Sequence, residues 1–107
     1  MLGVAEAMSD EKAPLTEASR PVLPRYARMH FDKVRGRHVL LVPERVLVPD
    51  DTAVEILQLC DGKRTVGDIV DTLAAKYAAD RDLIGTDVIA MLEDLRGRDF
   101  LVVVEED

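Results

Sequence analysis

The sequence predicts an α+β domain of winged-helix-like order, with a small antiparallel sheet first, three helices after it and a short extended segment last. Three observations carry this. Apolar residues alternate with period two through residues 25–48, and turn residues interrupt the alternation. Three apolar stripes of helical spacing follow one another through residues 53–95. Between the first two stripes, Leu57-Gln-Leu-Cys-Asp-Gly-Lys-Arg-Thr-Val-Gly-Asp-Ile-Val70 reads as a helix end, a tight turn at Asp61-Gly62 and a new helix start at Thr65.

Residues 1–19 mix Ala, Ser, Glu and Lys without sustained periodicity and are expected to be a flexible tail or an inter-domain linker, with residues 20–107 forming the domain. A transient helical turn is expected at Val4–Met8. Pro21-Val-Leu-Pro24 is a rigid entry, because both prolines fix φ. Arg25–Phe31 is the first strand, with Ala27, Met29 and Phe31 on the core face. Gly36 supplies the turn, and His38–Val42 returns antiparallel. Arg45–Val48 is a short third strand bounded by Pro43 and Pro49. Asp50 or Asp51 is expected to cap the first helix, whose stripe is Ala53, Ile56, Leu57 and Cys60. Gly62 is assigned the left-handed position that closes this helix. Thr65 with Asp68 resembles a capping box for the second helix, whose stripe is Val66, Ile69, Val70, Leu73, Ala74 and Tyr77. The third helix begins near Asp80 or Asp82, turns Ile84, Val88, Met91, Leu92 and Leu95 inward, and stops at Gly97. Phe100–Val104 is strongly β-prone.

Composition narrows the function. The chain of 107 residues has room for one small domain, and 48% hydrophobic residues with few aromatics imply an aliphatic core. The charge is uneven. Residues 1–49 hold eight Lys/Arg against six Asp/Glu, and residues 50–107 hold six against fifteen, so the net of −7 resolves into +2 and −9. A helix-turn-helix joint by itself suggests a winged-helix transcription regulator. An acidic helical half argues against it, because phosphate binding needs a basic face. No signal peptide, long apolar run, phosphate loop, nucleophile elbow or Cys/His cluster is present, so a cytoplasmic, non-catalytic protein without cofactor or metal is expected. The single cysteine, Cys60, sits on an apolar helix face and reads as a core thiol. His30 and His38 are expected to face each other across the hairpin, a surface pair too small for a metal site.

Several strings in this order resemble one family. Arg20-Pro-Val-Leu-Pro-Arg25, Val39-Leu-Leu-Val-Pro-Glu-Arg-Val-Leu47 and Ile56-Leu-Gln-Leu-Cys-Asp-Gly-Lys-Arg-Thr-Val66 are similar to PqqD, the peptide chaperones of pyrroloquinoline quinone biosynthesis. The likeness covers residues 20–104, and its one departure is Pro49-Asp50-Asp51, where Leu-Asp-Glu is expected. The resemblance implies a monomeric recognition element that binds the ribosomal precursor peptide PqqA and delivers it to the radical S-adenosylmethionine enzyme PqqE. Some members are fused to a PqqC oxidase upstream. It further implies that the peptide adds as a strand to the third strand and lies against the third helix. Arg45, Val46, Leu47 and Val48 would then pair with it. Ile84, Asp87, Val88, Met91, Leu92 and Leu95 would line the groove, with Arg45 meeting an acidic residue and Asp87 a basic one. The strand arginines Arg28, Arg35 and Arg37 are a candidate docking patch for the enzyme partner.

Overall fold

In the computed structural model, which describes residues 13–104, the alternating stretch forms a three-stranded antiparallel sheet. Its strands are β2 (Arg28–Asp32), β3 (Arg37–Val42) and β4 (Arg45–Leu47), in the order β2-β3-β4. A smaller sheet pairs β1 (Pro21–Val22) with β5 (Val102–Val103). Three helices lie between the sheets in sequence: α1 (Asp51–Gln58), α2 (Val66–Tyr77) and α3 (Arg81–Gly97). The fold class expected from sequence is the one observed. The expected turn at Val4–Met8 lies outside the described residues.

The register sorts the sheet residues by face. Met29, Leu40 and Leu47 stand opposite one another on the core side, whereas Arg28, Leu41 and Val46 form the adjacent row on the outer side. Leu40 is fully buried, and Leu41 and Val46 are exposed. Phe31 shares the face of Met29, as expected, but is not buried there. It lies past the core at the far end of the hairpin, 44% exposed, with its ring edge-on to His38 at 4.9 Å. The two histidines do not face each other. His38 pairs with Phe31 and His30 with Val39, and neighbouring rows point to opposite sides of the sheet.

Helix starts follow local chemistry closely. Asp50 caps α1 by accepting from Ala53 N at 2.8 Å, and Asp80 caps α3 by accepting from Asp82 N at 2.8 Å. Thr65 and Asp68 complete a reciprocal capping box on α2. Helix ends were harder to place. Gly62 has φ +80°, but α1 stops at Gln58 with Leu59 in a right-handed cap. The left-handed turn at Gly62 serves another purpose. Its N–H donates to Pro21 O at 2.9 Å, and a Cβ there would sit 3.3 Å from both Val22 and Val104. Only glycine lets the interhelix loop pass so close to the β1–β5 pair. Gly97 is the last residue of α3, as expected, although the chain reverses two residues later. Asp99, at φ +67°, takes the left-handed position, with Phe100 N donating to Leu95 O and Asp99 N to Arg96 O, a Schellman closure.

The core gathers Leu40 and Val42 from the sheet, Ile56, Leu57 and Cys60 from α1 and its exit, Val66, Ile69, Val70 and Leu73 from α2, and Val88, Leu92 and Leu95 from α3. Phe100 and Leu101 close it. Tyr77, expected in this stripe, is exposed. Burial pushes the Cys60 thiol up to about 12, with the neighbouring Asp61 charge adding to the effect, so Cys60 is a packing group and not a nucleophile.

Residues 13–19, grouped by sequence with the tail, lie along α2 and α3. Leu15 is buried in the core. Glu17 O and Ser19 O accept from Gly67 N and Val66 N, the first two backbone donors of α2. The Glu17 carboxylate takes both Nη atoms of Arg81 at 2.9 Å, and Asp71 takes Arg81 Nε at 2.5 Å. That guanidinium holds the Glu17 carboxyl below its usual range.

Candidate functional site

The joint between β3 and β4 determines what the sheet offers at its edge. Pro43 and Glu44 alone separate the paired residues Val42 and Arg45, and Glu44 adopts φ +65°. A two-residue turn makes Val42–Arg45 the closing hydrogen-bonded pair. Ladder alternation then makes Leu41–Val46 a non-hydrogen-bonded pair, so the N–H and C=O of Val46 point away from β3. Since β4 ends the sheet, these groups have no strand partner among the described residues.

Helix α3 runs beside this edge. The Arg45 guanidinium donates to Arg98 O at 2.8 Å and lies 4.5 Å from the Phe100 ring centroid, which ties the start of β4 to the end of α3. At the other end, Thr52, in the first turn of α1, shares a cleft with Ile84 and Asp87 of α3. Arg45 is therefore held near the end of α3, and Thr52 lies near its first turns.

The expected site residues differ in exposure. Leu47 packs partly buried against the core, as do Ile84 and Met91. Asp87 is exposed. Val88, Leu92 and Leu95 are core residues, 2%, 0% and 4% exposed. Val46 and Val48 are exposed, and Val46 turns its side chain to the outer face, so its offering at this edge is backbone. Arg45 is already engaged with Arg98 and Phe100. Of the docking arginines, Arg28 is exposed on the outer sheet face and Arg37 lies opposite Asp32, while Arg35 pairs with Asp32 at 3.2 Å.

Sequence reading missed the cleft that Thr52 lines. It has a volume of about 260 Å³, with Ile56, Leu73, Ile84 and Val88 as its apolar lining and Thr52, Glu55, Tyr77 and Asp87 completing it. The Glu55 carboxylate accepts from both Lys76 Nζ and Tyr77 Oη, and the lysine bond is the larger cause holding its carboxyl below the usual range. Glu55 and Tyr77 belong to different helices, and no spacing along the chain could have paired them. Among the described residues, no group of three or more His, Cys, Asp or Glu side chains is placed to hold a metal ion. No helix among them is long and apolar enough to cross a membrane.

A small antiparallel sheet followed by three helices defines a winged-helix-like domain. Comparison with known proteins makes the class specific. The family model described as coenzyme PQQ synthesis protein D matches residues 37–101. A PqqA binding protein of Rhodopseudomonas palustris (strain BisB5) is 59% identical over 99 residues, covering 92% of this chain and 97% of that one. A bifunctional coenzyme PQQ synthesis protein C/D of Methylorubrum extorquens is 41% identical, over 86% of this chain and 29% of its own length. The solution structure of the PqqD truncation of Methylobacterium extorquens PqqCD, described as a functional and stand-alone RiPP recognition element, superposes with TM-score 0.71 at 42% identity. It covers 82% of this chain and 94% of that one. The chain belongs to the PqqD family.

Proposed function

We propose that this chain binds a PqqA-type precursor peptide by adding it as a strand to β4, along α3, and presents it to a PqqE-type radical S-adenosylmethionine enzyme. The role is non-catalytic. The observation that carries the reading is the outward-facing N–H and C=O of Val46 beside the half-buried Leu47, Ile84 and Met91. Main-chain pairing supplies affinity in this mode, and the apolar surface supplies register. The β4 edge is joined to the end of α3 through Arg45. Relatives named as PqqA binding proteins support the choice of peptide. The relative named as a C/D protein supports the possibility of fusion to a PqqC-type domain in this family.

An amide NMR titration with a synthetic PqqA-type peptide tests this. Saturable shifts at Val46–Val48 and Ile84–Leu95, with an affinity of roughly micromolar order for so short an interface, are expected. Unmoved β4 amides would refute strand addition at this edge. Arg28, Arg35 and Arg37 form the proposed docking patch for the enzyme. Their joint replacement by Glu is expected to weaken association with a PqqE-type enzyme while leaving peptide binding intact. Unchanged association in pull-down or calorimetry would remove the patch from the reading.

A further inference from the structure

We infer that the cleft between α1, α2 and α3 is an anchor pocket for one large apolar side chain of the bound peptide, placed N-terminal to the residues that pair with β4. The inference rests on the strand-addition reading and sharpens it into a specificity rule. Four observations carry it.

The first is chemistry. Ile56, Leu73 and Val88, all buried in the core, expose only their aliphatic ends to the cleft, and half-buried Ile84 extends this surface. Polar groups enter through Thr52, Glu55, Tyr77 and Asp87, so a carboxylate-bearing side chain would meet two fixed negative charges.

The second is size. At about 260 Å³ the cleft holds far more than one water, yet it falls below the roughly 300 Å³ at which small-molecule sites begin. It fits a single side chain.

The third is preformation. Tyr77 is 54% exposed, but Glu55 holds its hydroxyl and pairs with Lys76, so the ring stands as a fixed wall across two helices. A wall held open in advance lowers the ordering cost of binding.

The fourth is continuity and direction. Arg45, at the start of β4, is held by Arg98 O and the Phe100 ring, and Thr52, five residues past the end of β4 at Leu47, lines the cleft. Every strand pair in the domain is antiparallel. A peptide added antiparallel to β4, which runs from Arg45 towards Thr52, passes the cleft before it reaches Val46. The anchor therefore precedes the paired segment.

The test uses a synthetic PqqA-type peptide, its single-alanine variants, and the protein as wild type and as Thr52→Trp, which places a large ring in the cleft mouth from an exposed helix position. In the wild type, amides of Ile84, Asp87 and Tyr77 should shift together with those of β4. Thr52→Trp should weaken binding by about tenfold or more, the value of one buried apolar side chain. It should also silence the cleft shifts while the β4 shifts persist at higher peptide concentration. One apolar peptide residue, upstream of the paired stretch, should lose as much affinity on replacement by alanine, and lose nothing further against Thr52→Trp. Shifts at β4 with a silent cleft, and a Thr52→Trp protein that binds like the wild type, would overturn the anchor pocket alone. No saturable β4 shift in the wild type would overturn strand addition and the anchor with it. Ile84→Ala, which enlarges the cleft, gives a second reading: the alanine-sensitive peptide residue should gain tolerance for a bulkier apolar side chain, and unchanged preference would count against the pocket.

Discussion

The N-terminus of α2 and the edge of β4 both present backbone donors that their own element cannot satisfy, and the molecule treats them in opposite ways. At α2 each of the first donors has a partner. Ser19 O takes Val66 N, Glu17 O takes Gly67 N, and Thr65 Oγ1 takes Asp68 N. Two pieces of chain, one of them remote in sequence, converge to close that end. At β4 the N–H and C=O of Val46 are left facing outward, beside a helix whose near face is half-buried and aliphatic. The proposed strand addition would close the second set with a ligand's backbone, as residues 17 and 19 close the first.

Breaking the open side should have the largest effect. Val46→Pro removes the outward donor at an edge position where proline fits the strand, so the fold should persist by far-ultraviolet circular dichroism. Peptide affinity should nevertheless fall about 30-fold or more, because a peptide carbonyl is left unpaired. Retained affinity in calorimetry would show that the peptide pairs elsewhere. Breaking the closed side should cost stability and spare binding. Thr65→Ala takes the acceptor from Asp68 N and should lower the unfolding free energy by about 1 kcal/mol in urea titration.

Smaller effects sharpen the same contrast. Glu44 adopts φ +65° in the turn that sets the register of β4, and Glu44→Gly relieves that strain. A gain of about 0.5 kcal/mol is expected after the unfolded-state entropy of glycine is counted, with peptide affinity unchanged. The smallest effect concerns acid. Glu17, Asp32, Glu55 and Asp61 are all held below the ordinary carboxylate range, chiefly by hydrogen bonds from Arg81, from Arg35, from Lys76 and from Arg64 respectively. Lowered folded-state values mean that these groups stabilise the fold above the unfolded carboxylate range. That contribution is lost as pH falls through the folded values. All four are solvent-accessible, so the melting temperature should decline gently on acidification, and high salt should flatten the decline. Glu17→Gln should remove the part of that slope due to the contact between residues 13–19 and Arg81.

Much of the domain was legible in the chain because its causes are local. Period-two alternation, three helical stripes and the caps at Asp50, Thr65 and Asp80 are each decided by residues within a few positions of one another. Physical chemistry at that range depends little on the rest of the fold. The α3 stripe was legible as an apolar face. Which members of the stripe are buried and which are accessible was not, because a period of 3.6 marks an apolar face without saying how deep each residue sits. Gly62 shows the other limit. Its left-handed conformation was foreseen, but its purpose, close passage beside Val22 and Val104, depends on a β1–β5 pair joined from opposite ends of the domain.

By itself, then, the sequence determined the order of elements, the helix starts, the aliphatic core and the short strand between prolines. Local sterics and hydrogen bonding leave little choice in each. Tertiary structure alone decided the docking of residues 13–19 on α2 and α3, the pairing of β1 with β5, the engagement of Arg45 by Phe100 and Arg98, and the cleft walled by Glu55 and Tyr77. Each of these joins groups far apart along the chain, and their meeting is settled by how the hydrophobic faces stack, which no short stretch of sequence encodes.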